Sequence, residues 1–483
     1  MSSKKNHGRV YTPHFLVKII LDFGKYHTSE ILQKHVIDNS CGDGAFLKEI
    51  VNRYCEEYLQ IYKNLSILKH QLSTYIHGIE LDENESKKCR QNLDLVVERY
   101  GITNVNWDIQ NADTLYVTDY DNKMDYVFGN PPYVRVHNLN QSYDNVKKFD
   151  FADKGMTDLY LVFFEIGLNM LNDAGILCLI TPSSWINSKA GLSFRKYIVL
   201  NNCITGVIDL GHLQPFNATT YTMISRLDKS TPTGYIEYYS LDSLDASPRY
   251  ISRINLSDVI LNNQFVIANN DEIKMLKDIM SFSFDKRAVV KNGFATLADS
   301  VFIGNFDFDE YVIDVIKAST GMWKKCIYPY DENGKPINIE QIKDTQTYKY
   351  LLKNKDVLTK TSKDLTNTNS WFLYGRTQAI NDVSKPKYAI NSIIKDIESI
   401  KLNYVGSGKG VYSGLYILTN EEFDLIKSIV CCEEFIKYIK ALRKYKSGGY
   451  YTFSSKELEA YINYKLSLYY GQQRIPCSSS RLF

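Results

Sequence analysis

The stretch that decides the fold is VIDNSCGDGAFLKEI, residues 36–50. It reads as a short strand, a tight loop of small residues and the start of a helix. Gly42 and Gly44 let the backbone approach a ligand closely, and the N–H groups that open the following helix favour an anionic group. The dinucleotide fingerprint G-x-G-x-x-G is not met, because Leu47 stands where its third glycine belongs. A plain strand-to-helix turn needs only one glycine and leaves the crowding of Asp38, Asn39, Ser40 and Asp43 unexplained.

Outward from this loop, short β-rich apolar runs alternate with longer helix-like segments as far as residue 230. The runs are IHGIEL to 81, VNW near 106, MDYVFGN to 130, GILCLITP to 182, ITGVIDL to 210 and YTMISRL to 227. This rhythm predicts an α/β fold with a doubly wound, mostly parallel sheet. Past residue 230 it disappears. Residues 285–410 carry turn-rich, mixed patterns such as DENGKP and GSGKG, and 420–470 return to helical periodicity, an α+β pattern.

Two acidic residues fall at successive strand ends beside the glycine loop. Glu80 closes GIELD, where a carboxylate can accept hydrogen bonds from both hydroxyls of a ribose. Asp113, in QNADTL, can accept from an adenine amine. Together with Asp38 they point to a nucleoside with a small anionic tail. A further feature is GNPPY, residues 129–133, directly after the run MDYVF. Pro131 and Pro132 end that strand and hold a stiff, extended loop at its carboxyl end, where ligands of open α/β sheets bind.

At 483 residues and 44% hydrophobic the chain can bury a large core, with a length that allows two or three domains. No window holds 18 uncharged apolar residues, and MSSKKNHGRVYTPHF lacks the apolar core of a signal peptide. The expectation is a soluble, cytoplasmic protein with no membrane association. Nine scattered cysteines with no CxxC pair suggest neither a disulfide framework nor a metal site. The net charge of +2 hides an asymmetry: from Ser281 onward 29 Lys and Arg face 22 Asp and Glu, against 28 and 33 before it. The basic surplus of the C-terminal part suits a polyanionic partner there.

The order of these pieces resembles the S-adenosylmethionine-dependent amino-methyltransferases that modify adenine in DNA. RVYTPHFLVKIIL (9–21) is similar to their motif X, DNSCGDGAF to motif I, GIELD to motif II, NADTL to motif III and GNPPY to motif IV. TDLYLVFFEIGLNML with GILCLITPSSWI resembles motifs V and VI, and VIDLGHLQPFNATTYTMI motif VIII. Motif X first and a recognition region last is the order of the gamma class, of which the TaqI-type enzyme is the best-known representative. Weaker resemblance to recognition domains of this class is carried by KNGFATLADSVFIG, WFLYGRTQAI, GSGKGVYSGLYILT and YKSGGYYTFSSKELEAYI.

The resemblance implies a catalytic, cofactor-binding domain over residues 1–240, a connection over 241–284 and a target-recognition domain over 285–483. It assigns Thr12, Asp38, Ser40, Gly42, Gly44, Phe46, Glu80, Asp113 and Asn130 to S-adenosylmethionine, and Asn130, Pro131, Pro132, Tyr133 and Phe216 to catalysis. An exocyclic adenine amine is a poor nucleophile, because its lone pair is delocalised into the ring. The Asn130 side-chain carbonyl and the Pro131 backbone carbonyl can each accept one amine hydrogen and localise the lone pair toward the methyl group. Tyr133 and Phe216 would pack a base flipped out of the duplex. Arg376 and Lys409, in turn-rich segments, are candidates for DNA contact. The implied protein is a monomer acting on double-stranded DNA, either paired with a separately encoded restriction endonuclease or an orphan relative. One rival reading is a protein or RNA methyltransferase with the same loop. Others are a fused restriction–modification enzyme and an inactive DNA-binding module.

Overall fold

The computed structural model describes residues 11–135, 146–153, 157–216, 220–230, 233–261, 264–280, 282–283, 286–361, 370–471 and 475–476. Arg9 and Val10 of the N-terminal motif, and Asn217 to Thr219 after Phe216, lie outside these residues. The chain divides into two compact units between residues 274 and 275.

The first unit is built on a nine-stranded sheet. Its strands are β1 (Val36–Asp38), β2 (Ile76–Glu80), β3 (Asp108–Asn111), β4 (Met124–Gly129), β5 (Leu171–Pro182), β6 (Ile204–Asp209), β7 (Thr222–Asp228), β8 (Tyr235–Ser240) and β9 (Arg249–Asn255). They lie in the order β3-β2-β1-β4-β5-β7-β6-β8-β9. The five strands from β3 to β5 are mutually parallel. β7 runs antiparallel between β5 and β6, and β8 returns parallel to β6 before β9 closes as a hairpin. The strand order reverses between β1 and β4, and a crevice beyond the carboxyl ends of the strands opens at such a switch point.

Both faces of the sheet are covered. Helix α1 (His14–Phe23) turns Leu16, Val17, Ile20 and Leu21 inward at i, i+1, i+4 and i+5, and all four are fully buried. α2 (Ala45–Ile61), α3 (Leu65–Tyr75) and α4 (Glu83–Glu98) join the same apolar cluster against Phe128, Cys178 and Ile180. Asn64 and Asp82 start α3 and α4 by accepting hydrogen bonds from the first free backbone N–H groups. On the other face lies α5 (Leu159–Met170). A methyl group on its Gly167 would stand 2.6 Å from Leu177 Cδ1 and 3.4 Å from Val127 Cγ1, so the bare glycine sets how closely helix and sheet approach. With both faces occupied, β6 and β7 are buried at every position.

One strand is displaced from its sequence expectation. The run VNW near 106 is not a strand; β3 is the polar DIQN that follows it. Trp107 packs into the core with its indole N–H donating to Asp94 at 2.8 Å, while β3 is a sheet edge that buries only Ile109. An edge strand needs no apolar run, so the hydrophobic signal pointed to its neighbour.

The second unit mixes small sheets and helices. Residues 288–292, 415–419, 387–390 and 402–405 form an antiparallel four-stranded sheet. Strands Ile303–Gly304, Met322–Ile327, Val312–Lys317 and Gly410–Tyr412 form a second four-stranded sheet, antiparallel except for the parallel last pair. Helix Ser455–Tyr469 opens on a capping box between Ser454 and Glu457, and its Asn463 side chain bonds both N–H and C=O of Ala288. The core of this unit is rich in aromatic residues, with Phe294, Phe302, Tyr374 and Tyr416 all buried.

Candidate functional site

At the switch point the first unit holds a cavity of roughly 320 Å³. Its walls come from the ends of β1, β2 and β4, from the loop after β3, and from Tyr11 and Thr12 before α1. Of the residues assigned to the cofactor from sequence, Thr12, Asp38, Ser40, Gly42, Phe46, Glu80, Asp113 and Asn130 line it. Gly44 does not. It starts α2 from a left-handed conformation (φ +88°), and a methyl group there would meet Cys89 Sγ at 2.9 Å.

Glu80 holds the glycine loop in place. One carboxylate oxygen accepts from Gly42 N–H at 2.9 Å and the other from Asp82 N–H at 2.8 Å. Gly42 itself is left-handed (φ +54°), with nothing among the described residues within 4 Å of where a Cβ would stand. Asp113 accepts from Leu115 N–H at 3.1 Å, so it caps a short helix as well as lining the cavity. The buried Ser40 Oγ and both amide atoms of the buried Asn39 have no hydrogen-bond partner among the described residues. Buried polar groups are normally paired, so this unmet capacity in the cavity wall fits a polar ligand with several donors and acceptors, as a nucleoside has. Sequence reading noted Asn39 only as part of a polar cluster.

Asp38 is fully buried at the end of β1, and burial pushes its carboxyl up to about 7, reinforced by Glu80 and Asp43 and partly opposed by its bond from Ser40 N–H. The folded protein therefore keeps the Asp38 proton to about pH 7, whereas the unfolded chain releases it near pH 4. The contribution of Asp38 to stability falls across that window and is flat above it. Asp38→Asn removes the charge and keeps an acceptor for Ser40. It is expected to melt higher than the parent at pH 8, by the equivalent of about 1–4 kcal/mol, and no higher at pH 4. Thermal melts at the two pH values check this, and an equal difference at both would contradict it.

β4 delivers the second part of the site. A methyl group on Gly129 would lie 2.9 Å from Asp38 Oδ1, so a side chain here would crowd the buried Asp38 carboxyl group. Sequence reading missed Gly129. Its signal was its place directly before Asn130, which has no meaning until β1 is known to lie alongside. If the cavity holds the cofactor expected from the sequence, Gly129→Ala is expected to weaken its binding by about tenfold or more, the effect of about 1–3 kcal/mol of overpacking. Titration calorimetry measures it, and unchanged affinity would refute the contact.

Asn130 Nδ2 donates to Thr12 Oγ1 at 3.0 Å, which fixes the amide and identifies Oδ1 as its acceptor end. Pro132 also lines the cavity; Pro131, Tyr133 and Phe216 do not. The Tyr133 hydroxyl donates to Ile180 O at 3.2 Å, and its ring meets Phe216 edge-on with centroids 6.3 Å apart. The two residues assigned to the target base thus stand together, touching each other, at the end of the Asn130 loop.

Arg376 and Lys409 belong to the second unit. Arg376 is exposed, and its guanidinium makes no hydrogen bond or ion pair among the described residues. Lys409 is paired with Asp314 at 3.3 Å and stands 5.0 Å over the exposed Trp323 ring. No helix among the described residues is long and apolar enough to cross a membrane.

The fold is a mixed α/β architecture with a large, mostly parallel central sheet, and the cavity lies at its switch point. Residues 47–216 match the family described as Eco57I restriction-modification methylase. The chain is 27% identical to the Type II methyltransferase M.BstVI of Geobacillus stearothermophilus, over 82% of this chain and 80% of that one. It is 23% identical to the Type II restriction enzyme and methyltransferase RM.Eco57I of Escherichia coli, covering 86% of this chain but only 52% of the longer relative. Among solved structures, the Type IIL restriction-modification enzyme MmeI in complex with DNA aligns over 92% of this chain and 63% of its own, with a TM-score of 0.63 and 13% identity. A DrdV–DNA complex aligns over 86% of this chain and 49% of its own, with a TM-score of 0.54 and 12% identity. The chain thus spans only part of these larger proteins.

Proposed function

We propose that this protein is a site-specific DNA methyltransferase that transfers a methyl group from S-adenosylmethionine to the exocyclic amine of an adenine flipped out of double-stranded DNA. The observation that carries this reading is that Asn130 and Pro132 share one cavity wall with Glu80, Asp113 and the glycine loop. An amine-polarising loop and a nucleoside-holding set therefore meet in one space. Relatives named Type II methyltransferases and structural similarity to DNA complexes support DNA as the substrate.

S-adenosylmethionine supplies, when bound, an electrophilic sulfonium methyl group. Glu80 would hold its ribose hydroxyls, Asp113 its adenine amine, and the N–H groups opening α2 with Thr12 its amino-acid end. Asn130 Oδ1 and the Pro131 carbonyl accept the two hydrogens of the target amine and turn its lone pair toward the methyl group. Donation from Asn130 Nδ2 to Thr12 keeps the acceptor end of the amide on that task. Tyr133 and Phe216 close on the base, and base–aromatic stacking contributes roughly 1–3 kcal/mol per base. The second unit, with the basic surplus, carries target recognition. Such an enzyme works in the cytoplasm, as the modification partner of a separately encoded endonuclease or as an orphan.

Tritiated methyl transfer to duplex DNA, RNA and a protein extract, measured in parallel, tests the substrate class. Label entering DNA alone supports the reading; label entering RNA or protein instead defeats it.

A further inference from the structure

Two segments singled out by their resemblance to recognition domains, around residues 291–304 and 371–380, are joined in the second unit. Gly375 N–H donates to Thr296 O at 3.1 Å, and Ala295 and Arg376 exchange backbone hydrogen bonds of 3.0 and 3.3 Å. Beneath them Phe294 and Tyr374 stack with centroids 5.0 Å apart, both buried. Thr296, almost fully buried, accepts from Ala298 N–H at 3.1 Å and donates to the Asp299 carboxylate. These bonds fix the turn that presents Leu297.

Leu297 is held in the left-handed region (φ +61°), where glycine or asparagine would sit with less strain. Its side chain nevertheless remains 42% exposed. It lies over Gly375, where a Cβ would stand 2.2 Å from Leu297 Cδ1, so the bare glycine leaves room for it. Burial does not account for a strained, exposed leucine on a rigid platform. Arg376, the residue after Gly375, is exposed, with no side-chain partner among the described residues. An apolar tip and a guanidinium with no partner among the described residues, carried by the same joined pair of segments in the basic part of the chain, fit a DNA groove: leucine against a base step or a thymine methyl, arginine on a guanine edge.

From this geometry, and resting on the DNA-methylation reading above, we infer that Leu297 and Arg376 form a paired probe that reads the target sequence. The test expresses the full chain in a host whose DNA is otherwise unmethylated and maps modified bases by single-molecule sequencing. Arg376→Ala is expected to broaden the modified sequence at one position. Leu297→Asn is expected to cut the methylated fraction at the parental sites about tenfold while melting at or above the parent, since asparagine adopts the left-handed turn more readily. If both variants modify the same sites to the same extent as the parent, the inference is overturned, and the platform serves another partner such as a protein. A Leu297→Asn chain that melts lower with an unchanged methylation pattern overturns the leucine's part, leaving it a structural contact. A parent chain that leaves the DNA unmodified refutes the methylation reading itself, a distinct outcome.

Discussion

Replacing Asn130 with alanine is expected to lower methyl transfer by about 10²–10³-fold while cofactor affinity changes only a few-fold. On the proposed reading, the size follows from removing one preorganised group aimed at charge that develops on the reacting amine. The structure adds a reason for the separation of effects. Asn130 is held from the side by Thr12 and takes no part in the Glu80–Gly42 contact that shapes the glycine loop. Single-turnover rates at saturating cofactor, with calorimetric titration alongside, separate the two quantities. A variant with parental turnover would remove Asn130 from the chemistry, and one that loses cofactor affinity in proportion to rate would make it a cofactor ligand.

Glu80→Ala is expected to act in the opposite sense, weakening S-adenosylmethionine binding by about 100-fold and leaving turnover at saturation within a few-fold. Two losses combine. The loop loses the acceptor of the Gly42 and Asp82 N–H groups, and the ribose loses its carboxylate, where a hydrogen bond to a charged group contributes about 1.5–3 kcal/mol. Asp113→Ala, which removes one acceptor and a short cap, should cost about tenfold. Unchanged affinity in both variants would place the nucleoside elsewhere.

The parts of the fold legible in the sequence were those whose physics is local. The glycines of residues 42–44, the paired prolines after β4 and the fully apolar central strands each announce themselves within a few residues. β3 was misplaced because an edge strand with one buried residue carries less hydrophobic signal than the Trp107 segment before it. β8 and β9 escaped notice because alternating tyrosines and charges in a terminal hairpin do not continue a strand–helix rhythm. The site shows the same division. Glu80 and Asp113 could be named from strand ends. The Gly129–Asp38 approach and the Thr12–Asn130 bond join residues 91 and 118 positions apart, and only the folded sheet brings them together. In the second unit Lys409 looked like a free groove contact, but its ammonium is shared between Asp314 and the Trp323 ring. Arg376 has no such partner among the described residues.

On the proposed reading, the cavity at the switch point methylates an adenine amine in DNA. The most direct test is to incubate the full chain with duplex DNA and S-adenosylmethionine labelled in the methyl group, digest the DNA and identify the labelled nucleoside by mass spectrometry. The parent protein is expected to yield N6-methyladenine, and Asn130→Ala almost none. Label in N4-methylcytosine, or no label in any nucleoside, would contradict it.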